Sequence, residues 1–171
     1  TDDHLRTGVA GIYAIGDAIG GYLLAHVASH EGITACDNIL GKDTRIDYGS
    51  VPLCIYTEPQ IATVGLTEGE AKDKGYEVKV SKIPFGAIGK AHTIGEKDGF
   101  VKIVSDKKSG ETLGTQMVGH QVTEMIHEAA IAVRQRMPVS HICELIHAHP
   151  TLSEAFMEAA FLLEGRPIHS I

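Results

Sequence analysis

The feature that most constrains this chain is a helical stripe. Val122, Met125, Ile126, Ala129, Ala130 and Val133 recur at i, i+3, i+4, i+7, i+8 and i+11, so one helix presents a continuous apolar face that must be covered. Pro138 ends it, and Ser140 is placed to cap a short successor running to about Ile146. Thr151-Leu152-Ser153-Glu154 reads as a capping box for a last helix, which stops after Glu164 at Gly165 and Pro167. The cover lies upstream. Phe100–Ser105 and Thr112–Val118 flank a turn at Lys108-Ser109-Gly110 and predict a hairpin. Leu53–Tyr56, Ile61–Val64 and Glu77–Ile83 add short strands, the first two separated by Glu58-Pro59. Thr67-Glu68-Gly69-Glu70 is a second capping box, opening a short helix that Gly75 closes. Residues 47–171 therefore predict an α+β fold, an antiparallel sheet with flanking helices.

Residues 1–46 read differently. Val9–Ile15 is a near-continuous apolar run ending at Gly16-Asp17, the pattern of a strand buried on both faces. After Gly20-Gly21 a helix is predicted to about Leu40, with Leu24, Val27, Ala28, Glu31 and Ala35 at helical spacing and Gly41 as the stop. Strand, glycine turn and helix make the end of an α/β unit, and one such unit cannot form a sheet alone. The polar stretch Lys42–Ser50 holds the boundary.

Composition narrows the function. A formal net charge of −7 argues against a nucleic-acid partner. No apolar run is long enough to span a bilayer, and the start lacks the apolar segment of a signal peptide. The chain does not begin with Met, which points to missing upstream residues. Cys36, Cys54 and Cys143 are an odd number at wide spacing, expected to be free buried thiols in a reducing compartment.

Two stretches carry chemistry. Asp17 follows a buried strand and precedes a glycine turn into a helix, where ligands of open α/β sheets bind. A carboxylate there can accept from sugar or ribityl hydroxyls, and the helix N-terminus near Tyr22–Leu24 suits an anionic or electron-accepting ring. Equally, Asp17 can be no more than a cap. In the second stretch Pro150 stiffens the backbone beside His149, with a cis bond open as an option, and Thr151 as N-cap puts Glu154 at the third helical position. The helix N-terminus disfavours an imidazolium at His149, whereas the Glu154 carboxylate favours it, an arrangement suited to a general base. Against this stand a purely capping Glu154 and two ordinary loop histidines. A zinc site from His147, His149 and Glu154 lacks a convincing further ligand, so no metal is expected.

Gly11-Ile12-Tyr13-Ala14-Ile15-Gly16-Asp17 with Leu23-Leu24-Ala25-His26 resembles the second FAD signature of the disulfide-reductase flavoproteins. His147-Ala148-His149-Pro150-Thr151 with Glu154 resembles the C-terminal active-site motif of the lipoamide dehydrogenase family of pyridine nucleotide-disulfide oxidoreductases. Tyr56-Thr57-Glu58-Pro59-Gln60-Ile61-Ala62-Thr63-Val64-Gly65-Leu66-Thr67-Glu68 resembles the start of that family's interface domain. The three motifs follow the family's order and cover essentially the whole chain.

The resemblance implies an oxidoreductase that passes electrons from dihydrolipoamide through FAD to NAD+. It makes His149 the acid–base residue, Glu154 its orienting carboxylate and His147 structural. It assigns Gly16, Asp17, Leu23, Leu24, Ala25 and His26 to the flavin, Asp17 on the ribityl chain and Leu23–His26 at the pyrimidine edge. Residues 1–46 become the tail of the FAD-binding domain, and a homodimer through residues 50–171 is implied, with the histidine serving the partner's disulfide. The lipoyl domain of a 2-oxo acid dehydrogenase complex is the implied partner, in the cytoplasm or, in a eukaryote, the mitochondrial matrix. The chain lacks the family's Cys-x4-Cys pair, its first Gly-x-Gly-x-x-Gly and its nicotinamide domain, so it is expected to be an inactive fragment that holds FAD weakly or not at all. Glutathione, trypanothione and mercuric reductases are siblings. The last lacks support because Glu164–Ile171 has no cysteine pair, and the His147-Ala148-His149-Pro150 form favours a lipoyl substrate over glutathione. A dimerisation module without catalysis is the reading from a different class.

Overall fold

A computed structural model describes residues 1–169, and the chain divides into two compact units, residues 1–48 and the residues from Gly49 onward. In the first unit the apolar run at 9–15 is not a strand. It turns back on itself through one antiparallel bridge, Arg6 to Tyr13, with Val9 60% and Ile12 53% exposed. A strand buried on both faces needs partners at both edges, and this unit contributes only that single bridge. Helix α1 (Ala25–Ile39) is present and ends with Gly41 at φ +84°. Its inward face is Val27, Glu31, Thr34, Ala35 and Asn38, more polar than the predicted stripe. Asn38 uses its side chain to hold the returning backbone, donating to the carbonyls of His4 (3.2 Å) and Thr44 (2.9 Å).

The second unit is built on a five-stranded antiparallel sheet. Its strands are β1 (Leu53–Ile55), β2 (Gln60–Gly65), β3 (Val78–Pro84), β4 (Gly99–Asp106) and β5 (Thr112–Gly119), in the order β1-β2-β5-β4-β3. The predicted hairpin is the β4–β5 pair, with Val101 opposite Met117 and Ile103 opposite Thr115. Period-two alternation sends Ala62, Ile83, Val101, Ile103 and Met117 to one face, where they form the main core. Helix α4 (Val122–Arg134) lays its stripe across β2 and β5, and α6 (Glu154–Leu163) packs on β3 and β4. In α6 Phe156, Ala159 and Ala160 are wholly buried. The opposite face carries a smaller cluster of Ala71, Val104 and Leu113 under α2 (Glu68–Asp73). The Thr67 capping box that opens α2 is complete: the Glu70 amide donates to Thr67 Oγ1 (3.3 Å) and the Thr67 amide to Glu70 Oε2 (2.8 Å).

Two other elements differ from expectation. Helix α3 (Gly89–Ile94) lies in a stretch whose apolar spacing is too short to signal a helix. Helix α5 (Val139–Glu144) has Pro138, not Ser140, as its N-cap, because the Val139 amide donates to the Gly110 carbonyl of the hairpin turn and needs no hydroxyl cap. Among the described residues no helix is long and apolar enough to cross a membrane.

Candidate acid–base site at His149

The loop from Leu145 to Ser153 joins α5 to α6 and carries His149. It is tied at its C-terminal end by Thr151, whose hydroxyl donates to the Ala148 carbonyl (2.7 Å) and whose amide donates to Glu154 Oε2 (2.8 Å). The other carboxylate oxygen, Oε1, lies 2.9 Å from His149 Nδ1. One carboxylate thus holds both the loop backbone and the imidazole. The His149–Pro150 peptide is cis.

The predicted capping box at Thr151 is only half formed. Ser153 precedes the first helical residue without a side-chain cap, so Glu154 begins α6 and is not its third residue. The reason is local: the Thr151 hydroxyl is committed to Ala148, while residues 152 and 153 continue a turn. The two Glu154 oxygens are thus divided between the loop backbone and the imidazole.

Burial and charge divide the pair. The Glu154 side chain is 7% exposed and that of His149 72%. Burial pushes the Glu154 carboxyl up, but the Thr151 amide and the His149 ring outweigh it and hold it below the ordinary 4.5. An ionised acceptor at Nδ1 selects the tautomer with its proton on that nitrogen, which leaves the Nε2 lone pair for an incoming proton. The ring lies beside Gly89, whose missing Cβ would stand 4.0 Å from Cε1. An open groove of about 670 Å³ adjoins the loop, bordered by Pro150, Thr151, Lys90, His120 and Glu124.

His147 does not join this pair. Its ring is buried and turned to α4, with Nε2 2.6 Å from Glu128 Oε1. His147, His149 and Glu154 are thus not gathered into one ligand set. Glu128 was not legible as a partner, because it sits off the apolar stripe among other charged residues. The cysteines are free: Cys36 is exposed on α1, contrary to expectation, while Cys54 and Cys143 are half-buried. Burial raises the thiol pKa of both half-buried cysteines, so neither is a ready nucleophile.

The flavin-type motif lies in the first unit. Asp17 sits in a single 3-10 turn, Gly16–Ile19, is exposed, and its side chain caps neither that turn nor α1. Leu24 is the residue before α1, so Ala25 and His26 open the helix one to three residues later than predicted, with Leu23 65% exposed ahead of them. An exposed carboxylate beside an uncapped helix start fits the hydroxylated chain and electron-poor ring of a flavin. Glu31 holds this turn. It is 1% exposed and accepts from the Gly16 amide (2.6 Å) and the Tyr48 hydroxyl (2.7 Å). Burial, then Glu31, pushes the Tyr48 hydroxyl up to about 12. In the sequence Glu31 is one position of a helical spacing, with nothing to mark it as an anchor.

Residues 51–160 match the family described as pyridine nucleotide-disulphide oxidoreductase, dimerisation domain. The chain belongs to this family. Within it, the chain is 50% identical over 169 residues to a dihydrolipoyl dehydrogenase of Bacillus subtilis, covering 98% of this chain and 36% of the relative. It is 47% identical to that of Chlamydia muridarum, covering 99% and 36%. Among solved structures it resembles LpdA of Mycobacterium tuberculosis with a TM-score of 0.89 at 31% identity, over 95% of this chain and 36% of that one. It also resembles the HOCl-induced flavoprotein disulfide reductase RclA of Escherichia coli, with a TM-score of 0.87 at 28% identity, over 94% and 37%. The chain spans about 36% of the length of the curated relatives it matches.

Proposed function

We propose that this chain is the C-terminal part of a dihydrolipoyl dehydrogenase, with His149 as its acid–base residue and Glu154 as the carboxylate that orients it. The observation that carries the reading is the outward-facing His149 ring fixed at Nδ1 by a buried carboxylate, 2.9 Å away. A thiol with an ordinary pKa of about 8.5 is mostly protonated at neutral pH. His149 Nε2 takes that proton, and the thiolate attacks a disulfide, forming one S–S bond as it breaks another. The ionised Glu154 stabilises the imidazolium so formed, and Nε2 returns the proton when the thiol leaves.

FAD, when bound, supplies the electron relay between that disulfide and NAD+. For it this chain offers Asp17 to a hydroxylated chain and the backbone of Leu23–His26 at the start of α1 to a ring edge, with Glu31 fixing the turn through Gly16. Residues 1–46 are then the tail of a FAD-binding domain and residues 47–171 the interface domain. A homodimer through residues 50–171 would bring His149 to the disulfide of the other subunit, and the family's dimerisation role supports this. The partner in this reading is the lipoyl domain of a 2-oxo acid dehydrogenase complex.

The test is a chimera in which this sequence replaces the matching segment of the Bacillus subtilis dihydrolipoyl dehydrogenase. It should oxidise dihydrolipoamide, and His149→Gln should lower that rate by about 100- to 10,000-fold, the span for losing a general base. A chimera that dimerises and holds flavin yet fails to turn over would overturn the assignment. So would an active chimera indifferent to His149→Gln.

A further inference from the structure

His147 is placed two residues before His149, and both of its ring nitrogens face acceptors. Nε2 lies 2.6 Å from Glu128 Oε1 on α4, and Nδ1 lies 3.3 Å from the Leu145 carbonyl oxygen. A neutral imidazole has one N–H, so one of these contacts would set a lone pair against an oxygen. Only the doubly protonated ring donates to both. The ring is 6% exposed, so water cannot readily replace a lost bond.

The loop that carries His149 has few other tethers. On its C-terminal side Thr151 binds Ala148 and Glu154. On its N-terminal side the His147–Glu128 contact is the one side-chain link to the helical layer among the described residues. We infer that His147 and Glu128 form a charged latch, a positioning pair that fixes the loop bearing His149 while the His147 ring holds two protons. This rests on the reading of His149 as the acid–base residue. The groups facing His147 act in the same sense. Glu128 on α4 favours its charged form against the cost of burial, with smaller help from the Leu145 carbonyl and from Glu154 at the start of α6, so its pKa lies above the ordinary 6.5. As pH rises past that pKa the ring loses a proton, one of the two bonds is lost and the loop loosens.

The test is nitrogen-15 NMR of the histidine rings together with amide hydrogen exchange, both on this chain. His147 should show two protonated ring nitrogens and a titration midpoint above 6.5. Glu128→Gln should lower that midpoint and speed exchange at the amides within 148–151, those of Ala148, His149 and Thr151, by about tenfold or more, as expected for losing a charged hydrogen bond. Glu128→Asp should restore part of both. A single-proton His147 at neutral pH, or a midpoint at or below 6.5, overturns the latch. Unchanged exchange at 148–151 in Glu128→Gln overturns the positioning role. Should Glu128→Gln fail to fold, the unsubstituted chain decides. Its exchange at 148–151, corrected for the intrinsic rate, must rise as pH crosses the His147 midpoint, and a flat profile refutes the proposal. None of these readouts is turnover, so the latch and the role of His149 stand or fall separately.

Discussion

Glu154 and His149 divide one hydrogen bond between two environments: the carboxylate is 7% exposed, the imidazole 72%, and Oε1 to Nδ1 is 2.9 Å. The carboxylate is buried, and the ring bonded to it is open to solvent. If that relationship serves proton transfer, Glu154→Gln in the active chimera should lower turnover by less than His149→Gln, since the base remains while its orientation and charge partner weaken. His147→Gln should also cost less than His149→Gln. Steady-state rates for the three variants check the order, and a reversal of the two histidines would move the base to His147.

Glu154 also predicts an acid-dependent stability. Its folded pKa lies below the ordinary 4.5 because the Thr151 amide and the His149 ring outweigh burial. A depressed carboxyl pKa contributes stability that is present above the unfolded value and is lost as pH falls through the folded one. Glu154→Gln should therefore destabilise the chain at neutral pH, by about 1–2 kcal/mol. The gap from the unsubstituted chain should narrow as pH drops below 4.5. Thermal unfolding of both proteins across that range measures it, and a gap that widens in acid would contradict the sign.

Apolar exposure on the second unit predicts self-association. Ile131 is 60% exposed, Leu145 51% and Tyr56 80%, while Ile146 is fully exposed. Such side chains in a family named for dimerisation are expected to be covered by a second copy. Sedimentation at micromolar concentration should give a dimer, and Ile146→Asp should shift it towards monomer. A monomeric unsubstituted chain would remove this part of the proposed function.

Two glycines should respond oppositely to alanine. At Gly114 in β5 a Cβ would lie 2.1 Å from the Leu66 carbonyl oxygen, a backbone atom that cannot step aside. Gly114→Ala should cost about 3 kcal/mol or more, at the upper end for overpacking. Gly69 in α2 has nothing within 4 Å of the same position, and Gly69→Ala should stabilise by about 0.5–1 kcal/mol. Denaturant midpoints decide both.

If residues 1–48 supply a flavin edge, as proposed, they form only one wall of a site. Asp17 and the start of α1 are exposed, and no strand lies in that unit. The chain mixed with FAD should remain free of stoichiometric yellow colour after desalting. In the active chimera, Glu31→Gln should loosen flavin, because Gly16 loses its charged anchor. Tight flavin binding by the isolated chain would refute the first expectation, and unchanged flavin retention the second.

Much of this was legible in the sequence because it depends on short-range periodicity. The α4 stripe, the β4–β5 hairpin and the Thr67 capping box are patterns that a few consecutive residues specify, and each is present where expected. The adjacency of His149 and Glu154 was legible for the same reason: five residues and one turn bring them together. Pairings across long separations were not. The run at 9–15 has strand character, yet a strand exists only when another segment pairs along it, and its own unit supplies a single bridge. Helix α5 starts directly after Pro138 because a hairpin turn 29 residues upstream of Val139 accepts its amide. Glu128 meets His147 across 19 residues, and Glu31 meets Gly16 across 15 and Tyr48 across 17. A buried carboxylate is worth keeping only where tertiary packing delivers a donor to it, and local sequence cannot encode which donor arrives.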